Sequence, residues 1–171
     1  MKDRIVFLCT GNICRSPLAE ALARQMCSGL ALEFVSAGLN AVVGLPASTF
    51  SVQYAAAQDA SLVDHRSQPI TPDLLAPTSW VIGMTRSHAA IFRSRYGGVF
   101  TGAVGILAAA GVDLTRQTYS PDSEEVDDPY GMTEQRYAAC GDQIHRLLLE
   151  WRPTFTNLCG NPADGSRPED M

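Results

Sequence analysis

The sequence predicts an α/β fold, namely a single domain with a doubly wound, four-stranded parallel sheet flanked by helices. Short apolar runs alternate along the chain with longer segments in which apolar residues recur at helical spacing. The first run, residues 4–8, is nearly continuous, as is typical of a parallel strand covered on both faces. The intervening segments are long enough for the right-handed crossovers that join parallel strands.

Each element is predicted from local signals. The first helix places Leu18, Leu22 and Met26 at four-residue spacing before a terminating Gly29. Proline marks the start of the second and third helices, and Thr85 caps the fourth. The predicted elements are strands at 4–8, 32–37, 80–84 and 99–104, and helices at 18–28, at 46–57, from 72 onward, at 85–96 and at 133–151.

The remaining segments are predicted to be irregular. Residues 105–127 contain Gly, Pro and Ser and are predicted to form a long loop. Beyond Arg152 the chain is rich in Pro, Gly, Asn and Asp, which is typical of a flexible tail. We therefore predict one domain over residues 1–152 and a C-terminal tail over residues 153–171.

Composition restricts the kinds of function. The 171 residues are 46% hydrophobic, which is enough for one domain with a sizeable core. The net charge of −5 argues against nucleic acid or an anionic membrane as a partner. The N-terminal apolar run, residues 5–9, is too short for a signal peptide or a membrane span. The five cysteines lack the spacing of metal ligands, so no metal site is expected.

The segment between the first strand and the first helix carries the main functional signal. It reads Cys9-Thr10-Gly11-Asn12-Ile13-Cys14-Arg15-Ser16-Pro17. Backbone N–H groups in such a loop converge on one point, where the helix dipole favours an anion. Arg15 adds a planar donor fork that suits two phosphate oxygens. The same field favours the thiolate of Cys9, so these residues predict phosphoryl transfer to a sulfur nucleophile without a metal.

Four residues of this loop have predicted conformational roles. Gly11 and Asn12 tolerate a positive φ, which a compact turn demands. Ser16 is predicted to cap the first helix, and Pro17 suits its first position. The order of strand, loop and helix that the chemistry requires is therefore present in the sequence.

On these residues the chain resembles the low-molecular-weight protein tyrosine phosphatases. That family's signature, C-x-G-N-x-C-R-S-P, is matched at every specified position from Cys9 to Pro17. Asp128-Pro129-Tyr130 matches a second family element, and Ser36-Ala37 matches the pair that ends the family's second strand. The resemblance extends from about residue 4 to about residue 151 and implies a sheet order of 2-1-3-4.

The resemblance and the chemistry of the loop together predict a reaction sequence. Cys9 attacks phosphorus in line, and Asp128 donates a proton to the leaving group before activating water in the second step. The phosphate oxygens are held by Arg15 and by the loop residues Thr10, Gly11, Asn12, Ile13, Cys14 and Ser16. No cofactor is required, and inorganic phosphate, vanadate and arsenate are expected to compete for the loop.

Asp127 is the alternative proton donor. It adjoins Asp128 in an acidic stretch with Glu124 and Glu125, where neighbouring negative charge helps to keep a carboxyl group protonated. Pro129 holds the residue before it in an extended conformation. Register with the family motif favours Asp128 over its neighbour.

The resemblance also implies supporting contacts around the loop. In the family the loop asparagine, here Asn12, holds the loop conformation, and the serine of the second strand, here Ser36, bonds to it. The alternative for Ser36 is a simple polar residue at a strand end. Ser16 is placed to donate a hydrogen bond to the sulfur of Cys9. The scattered histidines are predicted to be structural or surface residues, and they are His65, His88 and His145.

Two roles are open for the second cysteine of the loop, Cys14. A disulfide with Cys9 would protect the nucleophile from irreversible oxidation. Alternatively, the Cys14 thiol packs beneath the loop without reacting. A thiolate nucleophile requires a reducing compartment, which predicts a cytoplasmic protein.

The predicted substrate is a phosphorylated protein or peptide, with phosphotyrosine favoured. The family has an arginine-phosphatase branch that carries threonine at the position of Ile13, whereas isoleucine occurs in tyrosine-specific members. Tyr130 is predicted to form an aromatic wall of the pocket. The segment from Met84 to His88, and Gly131, resemble the arginine-phosphatase branch instead.

Three alternatives stay open, namely an arginine phosphatase, an arsenate reductase and a catalytically silent module that binds phosphorylated partners. Arsenate reductases of this fold usually carry Ser-Gln after the arginine and a pair of further redox cysteines, whereas this chain has Ser16-Pro17. A pure binding module would not need Cys9, Arg15 and Asp128 together.

Overall fold

The computed structural model describes residues 2–120 and 122–160 as a parallel sheet covered by helices. Its elements are, in chain order, β1 (Asp3–Cys9), α1 (Arg15–Met26), β2 (Leu32–Gly38), α2 (Thr49–Ala57), α3 (Pro72–Leu75), β3 (Thr78–Gly83), α4 (Arg86–Tyr96), β4 (Ala103–Ile106) and α5 (Glu134–Cys159). All strand pairs are parallel, in the order β2-β1-β3-β4. The predicted α/β fold and its strand order are confirmed.

The central strand β1 contributes side chains to two hydrophobic cores, one on each face of the sheet. Successive side chains of a strand point to opposite faces of the sheet. Ile5 and Phe7 accordingly pack with α1 and α5 on one face, whereas Val6 and Leu8 pack with α3 and α4 on the other. Burial on both faces explains why the apolar run of this strand is continuous rather than alternating.

The carboxyl end of β1 is the point where the chain can build a binding site. The chain passes from β1 to β2 on one side and then returns to β3 on the other, which makes this end a topological switch point. Gly38, at the end of β2, lets that strand approach closely, since a Cβ there would lie 2.5 Å from the Thr10 carbonyl oxygen. Cys9 is the last residue of β1 and opens the loop at this position.

The predicted end of the last helix is wrong, and so is the predicted start of the tail. Helix α5 has 26 residues and continues through Pro153 to Cys159. Phe155 is fully buried and packs edge-on against Phe34. Its burial offsets a proline in a helix interior, which costs about 3 kcal/mol. The rest of the predicted tail, residues 161–171, lies outside the described residues. Within residues 2–120 and 122–160, no helix is both long and apolar enough to cross a membrane.

The predicted start of β4 is also wrong. Residues 99 and 100 belong to the turn that ends α4, because the N–H groups of Val99 and Phe100 both donate to the Tyr96 carbonyl oxygen. The strand begins at Ala103 and runs through Gly105, which the sequence assigned to a loop. Glycine is needed there because a Cβ would lie 3.1 Å from the Trp80 ring and 3.2 Å from the Trp151 ring.

Helix α2 likewise begins later than predicted. Its first residue is Thr49 and its N-cap is Ser48, so Pro46 precedes the helix rather than opening it. The backbone N–H of Ser48 donates to the Ile13 carbonyl oxygen at 2.8 Å. This bond ties the start of α2 to the loop that follows β1.

Candidate active site

Asn12 fixes the shape of the cysteine loop, residues 9–16. Its φ of 57° is in the left-handed region, as predicted for a compact turn. The buried side chain donates through Nδ2 to Ser16 Oγ and to Ser36 Oγ, each at 2.9 Å. Its Oδ1 accepts the backbone N–H of Gln68 at 3.0 Å. The predicted contact between Asn12 and Ser36 is therefore present, and three chain segments meet at one amide.

Behind Ser36 lies a buried carboxyl group that sequence reasoning missed. The Ser36 hydroxyl donates to Glu20 Oε2 at 2.5 Å, and Glu20 also pairs with Arg24 at 2.6 Å. Burial raises the pKa of Glu20, while the Ser36 hydrogen bond and the Arg24 charge oppose that rise. A glutamate two turns into a helix looks like a surface residue in a sequence, so only the fold reveals its contact with β2.

Cys9 lies at the base of the loop with its sulfur hydrogen-bonded from two directions. The side chain is 3% exposed, and its Sγ lies 2.9 Å from Ser16 Oγ. The backbone N–H of Asn12 donates to the same sulfur at 3.3 Å. The backbone N–H of Asn12 is a donor to the sulfur, and either the Ser16 hydroxyl or the Cys9 thiol can be the donor in the second contact.

The predicted capping of the first helix by Ser16 is wrong. Helix α1 begins at Arg15, its N-cap is Cys14, and no side chain caps it. The Ser16 hydroxyl is occupied by the sulfur of Cys9 and the amide of Asn12, so it is not available to the helix backbone. Pro17 accordingly occupies the third helical position rather than the first.

Arg15 is buried at the start of α1 with part of its guanidinium unpaired. Nη1 donates to the Val126 carbonyl oxygen at 3.0 Å, and Nη2 lies 3.6 Å from Asp128 Oδ2. Nε is buried and finds no hydrogen-bond partner among residues 2–120 and 122–160. A buried charged donor without an acceptor is costly, so the arrangement favours an anionic guest.

Asp128 is presented by a loop that is bonded to the rest of the fold. The Val126 N–H donates to the Met84 carbonyl oxygen at 3.1 Å, and Glu125 Oε1 accepts the Arg86 N–H at 2.7 Å. The carboxylate of Asp128 is about half-exposed, and its Oδ1 accepts the Tyr130 N–H at 3.1 Å. The carboxyl group is thus held at the mouth of the site, where it can exchange protons with solvent.

A cavity of about 210 Å³ joins these parts. It is lined by Cys9, Thr10, Gly11, Asn12, Ile13, Cys14, Arg15, Asp128 and Tyr130. Tyr130 is 66% exposed and stands at the rim. Asp127 does not line this cavity but lies, together with Asp128, on a neighbouring groove of about 610 Å³. This difference in placement favours Asp128 over Asp127 as the group that reaches a bound phosphoryl group.

Two of the three histidines contact the cysteine loop, which the sequence did not indicate. His88 Nε2 lies 3.0 Å from Thr10 Oγ1, and His65 Nε2 lies 2.8 Å from the Asn12 carbonyl oxygen. Burial lowers the pKa of His88 to about 4, with the positive charge of Arg15 as the next cause. His88 is therefore neutral at neutral pH.

The low pKa of His88 predicts a pH-dependent stability. The unfolded chain takes up this proton near pH 6.5 and the folded chain near pH 4, so the contribution is complete above pH 6.5 and is lost as the pH falls toward 4. Wild-type protein should lose about 2 kcal/mol of unfolding free energy between pH 7 and pH 5 that His88→Gln does not lose. Urea titrations of both proteins at the two pH values measure this difference.

The raised pKa of Glu20 acts with the opposite sign, since it favours the folded state at low pH. It is common to both proteins, so it cancels from the comparison. His145→Gln, a change on α5, serves as the matched control and should retain the wild-type loss. An equal loss in wild-type protein and His88→Gln would contradict the prediction.

The second cysteine of the loop is held by a hydrogen bond. Cys14 Sγ lies 3.3 Å from the hydroxyl oxygen of Tyr137 on α5, and burial raises the pKa of this thiol. Cys9 and Cys14 are both unpaired thiols in the structure. The protective disulfide between them stays a prediction.

An anion cradle with a thiol at its base and a carboxyl group at its mouth defines an enzyme of the cysteine-dependent phosphatase class. The family model for "Low molecular weight phosphotyrosine protein phosphatase" matches residues 4–158. The chain belongs to this family and is a phosphatase.

Curated relatives and solved structures agree with this assignment. The chain is 29% identical over 158 residues to a probable low molecular weight protein-tyrosine-phosphatase, EpsP, of Ralstonia nicotianae, covering 92% of this chain and 99% of the relative. It is 31% identical over 152 residues to the protein-arginine-phosphatase of Bacillus subtilis, covering 85% and 92%. A solved arginine phosphatase, YwlE, in a mutant form with a phosphorylated active-site serine, superposes with a TM-score of 0.77 at 29% identity, covering 90% of this chain and 95% of the other.

Proposed function

We propose that the protein is a protein-tyrosine phosphatase that works through a cysteinyl-phosphate intermediate. Cys9 is the nucleophile, Arg15 and the loop N–H groups bind the phosphoryl oxygens, and Asp128 is the general acid and base. The observation that carries this proposal is a single cavity lined by Cys9, Arg15 and Asp128. Arg15 is a buried cation there, and its Nε finds no hydrogen-bond partner within residues 2–120 and 122–160. The cavity holds the nucleophile, the anion clamp and the proton donor together.

The proposed reaction has two steps. In the first, the thiolate of Cys9 forms a bond to phosphorus while the bond to the leaving oxygen breaks, and Asp128 transfers its proton to that oxygen. In the second, the Asp128 carboxylate takes a proton from water, whose oxygen attacks phosphorus and expels the Cys9 thiolate. Ser16, at 2.9 Å from the sulfur, stabilises the thiolate in both steps.

Two features of the cavity support phosphotyrosine as the substrate. Ile13 and Tyr130 both line it, and they give an apolar wall and an aromatic ring at the rim for a phenyl group to contact. Phosphoarginine is the second candidate, because one relative at 31% identity is a protein-arginine-phosphatase. In either case the substrate is a phosphorylated protein or peptide, with inorganic phosphate and other oxyanions as competitive ligands. The need for a free thiol favours action in the cytoplasm.

A direct comparison of two substrates tests this assignment. A phosphotyrosine peptide and a phosphoarginine peptide of otherwise identical sequence are hydrolysed at the same enzyme concentration, and kcat/KM is measured for each. The proposal expects the phosphotyrosine peptide to have the higher value. A higher value for phosphoarginine would assign the enzyme to the second activity, and no release of phosphate from either peptide would contradict both.

Substitution of Ile13 by threonine is expected to shift this preference. Ile13 lines the cavity as an apolar wall, and threonine supplies a hydroxyl that can accept a hydrogen bond from a guanidinium group. We expect the ratio of kcat/KM for phosphoarginine to that for phosphotyrosine to rise about tenfold, which is the effect of one hydrogen bond to a charged group. Ile13→Val, which keeps the branched shape without the hydroxyl, is the control. An unchanged ratio in Ile13→Thr would place specificity elsewhere.

A further inference from the structure

The side chains of His88 and Thr10 form a polar pair beside the cavity, and the two-step reaction assigns no role to either side chain. Thr10 lines the cavity, and its Oγ1 lies 3.0 Å from His88 Nε2. His88 is firmly placed at the start of α4, where its backbone N–H donates to Thr85 Oγ1 at 3.2 Å. Its Cβ also packs against Gly83, where an added Cβ would lie only 3.0 Å away. The imidazole therefore approaches Thr10 from a fixed direction.

The surroundings of the ring decide which nitrogen carries the proton. The ring is neutral at neutral pH, so it has one N–H, on either Nδ1 or Nε2. Nδ1 is buried and finds no hydrogen-bond partner among residues 2–120 and 122–160. A proton on Nδ1 would leave a buried N–H without an acceptor, which is rarer in proteins than an unused lone pair. We therefore assign the proton to Nε2.

This tautomer sets the role of the threonine hydroxyl. With its proton on Nε2, His88 donates to Thr10 Oγ1, so the hydroxyl hydrogen of Thr10 cannot point back at the ring. The hydrogen is then available to a group in the cavity that Thr10 lines. The groups expected there are phosphoryl oxygens, which accept hydrogen bonds strongly because they are charged.

We propose that the Thr10 hydroxyl donates a hydrogen bond to the phosphoryl group of the substrate, and that His88 is the positioning residue that sets its direction. The inference rests on the proposed function because it assumes that the cavity binds a phosphoryl group. It adds a side-chain donor to the backbone N–H groups and Arg15. It also gives a role to a histidine that lies 78 residues from Thr10 in the sequence.

Substitutions at Thr10 test the donor directly. Thr10→Val keeps the branched shape and removes the hydroxyl, whereas Thr10→Ser keeps the hydroxyl. We expect Thr10→Val to raise the inhibition constant of inorganic phosphate about tenfold and to lower kcat/KM for an aryl phosphate, and Thr10→Ser to recover most of the loss. Thr101→Val, at an exposed threonine outside the cavity, is the control for the substitution itself. Values for Thr10→Val within twofold of wild type would overturn the proposal.

A double-mutant cycle tests the role of His88. His88→Ala should weaken phosphate binding several-fold when Thr10 is present and less than twofold in the Thr10→Val background, since it acts only through that hydroxyl. Equal effects in the two backgrounds would overturn the positioning role. If His88→Ala does not fold, His88→Gln replaces it in the same cycle.

Failure of the proposed function gives a different result from failure of this inference. Phosphate binding to wild-type protein is also measured by calorimetry, which requires no turnover. A protein that binds phosphate but hydrolyses no phosphoester contradicts the proposed function and still reports the effect of Thr10→Val. Active wild-type protein with an unaffected Thr10→Val variant contradicts only the inference drawn from Thr10 and His88.

Discussion

Replacement of Cys9 by serine is expected to lower kcat for aryl phosphate hydrolysis by roughly 10³-fold or more, because a hydroxyl replaces the proposed sulfur nucleophile. Binding of inorganic phosphate should persist, since the proposed phosphate donors are the loop N–H groups and Arg15 rather than the sulfur. Steady-state kinetics gives the first quantity, and calorimetric titration with phosphate gives the second. The separation of the two effects is what identifies a nucleophile rather than a structural residue.

The matched control for this substitution is Cys159→Ser. Cys159 is a partly buried thiol at the end of α5, and the same exchange of sulfur for oxygen there should leave kcat unchanged. Residual activity of Cys9→Ser near the wild-type value would remove the proposed nucleophile. Loss of phosphate binding along with activity would indicate instead that the loop had collapsed.

Replacement of Asp128 by alanine is expected to lower kcat by about 10²- to 10⁴-fold for substrates with poor leaving groups. The reason is that an alkoxide or phenoxide of high pKa needs a proton as it departs, whereas a good leaving group does not. The loss should therefore shrink as the leaving group improves. A series of aryl phosphates with different phenol pKa values measures this dependence.

Asp127→Ala provides the comparison that the sequence alone left open. Asp127 lines the neighbouring groove and not the cavity that contains Cys9, so its loss should have a small effect that does not depend on the leaving group. If Asp127→Ala is the more damaging change, the assignment of the acid to Asp128 is wrong. Asp128→Asn, which keeps the shape and removes the acid, should behave like Asp128→Ala.

The sequence predicted the parts of the fold that depend on local pattern. The continuous apolar run of β1, the cap Thr85 and the positive φ of Asn12 are each properties of a few neighbouring residues. The predictions that failed depend on distant contacts. Gly105 resembles a loop residue in the sequence, but it lies in β4, where the rings of Trp80 and Trp151 leave little room for a side chain. Helix α5 extends beyond its predicted end because Phe155 is buried in the core.

The same division applies to the site. The cysteine loop could be predicted because the turn residues and the residues proposed as nucleophile and anion clamp all lie within one short segment of the sequence. Val126 and His88 could not, because each contacts the loop from a distant part of the chain. Glu20 follows the loop closely in the sequence, but its partner Ser36 lies on β2, so the fold is needed to reveal their contact. Val126 in particular acts through its backbone carbonyl, 111 residues from Arg15, so its side chain gives no signal.

The carbonyl of Val126 couples the position of the proposed anion clamp, Arg15, to the position of the proposed proton donor, Asp128. It accepts a hydrogen bond from the guanidinium of Arg15 and lies two residues before Asp128 in the same backbone. A displacement of this short segment would shift the anion clamp and the proton donor at once. A change in the length of the β4–α5 connection between Val126 and Asp128 would therefore disturb both groups together.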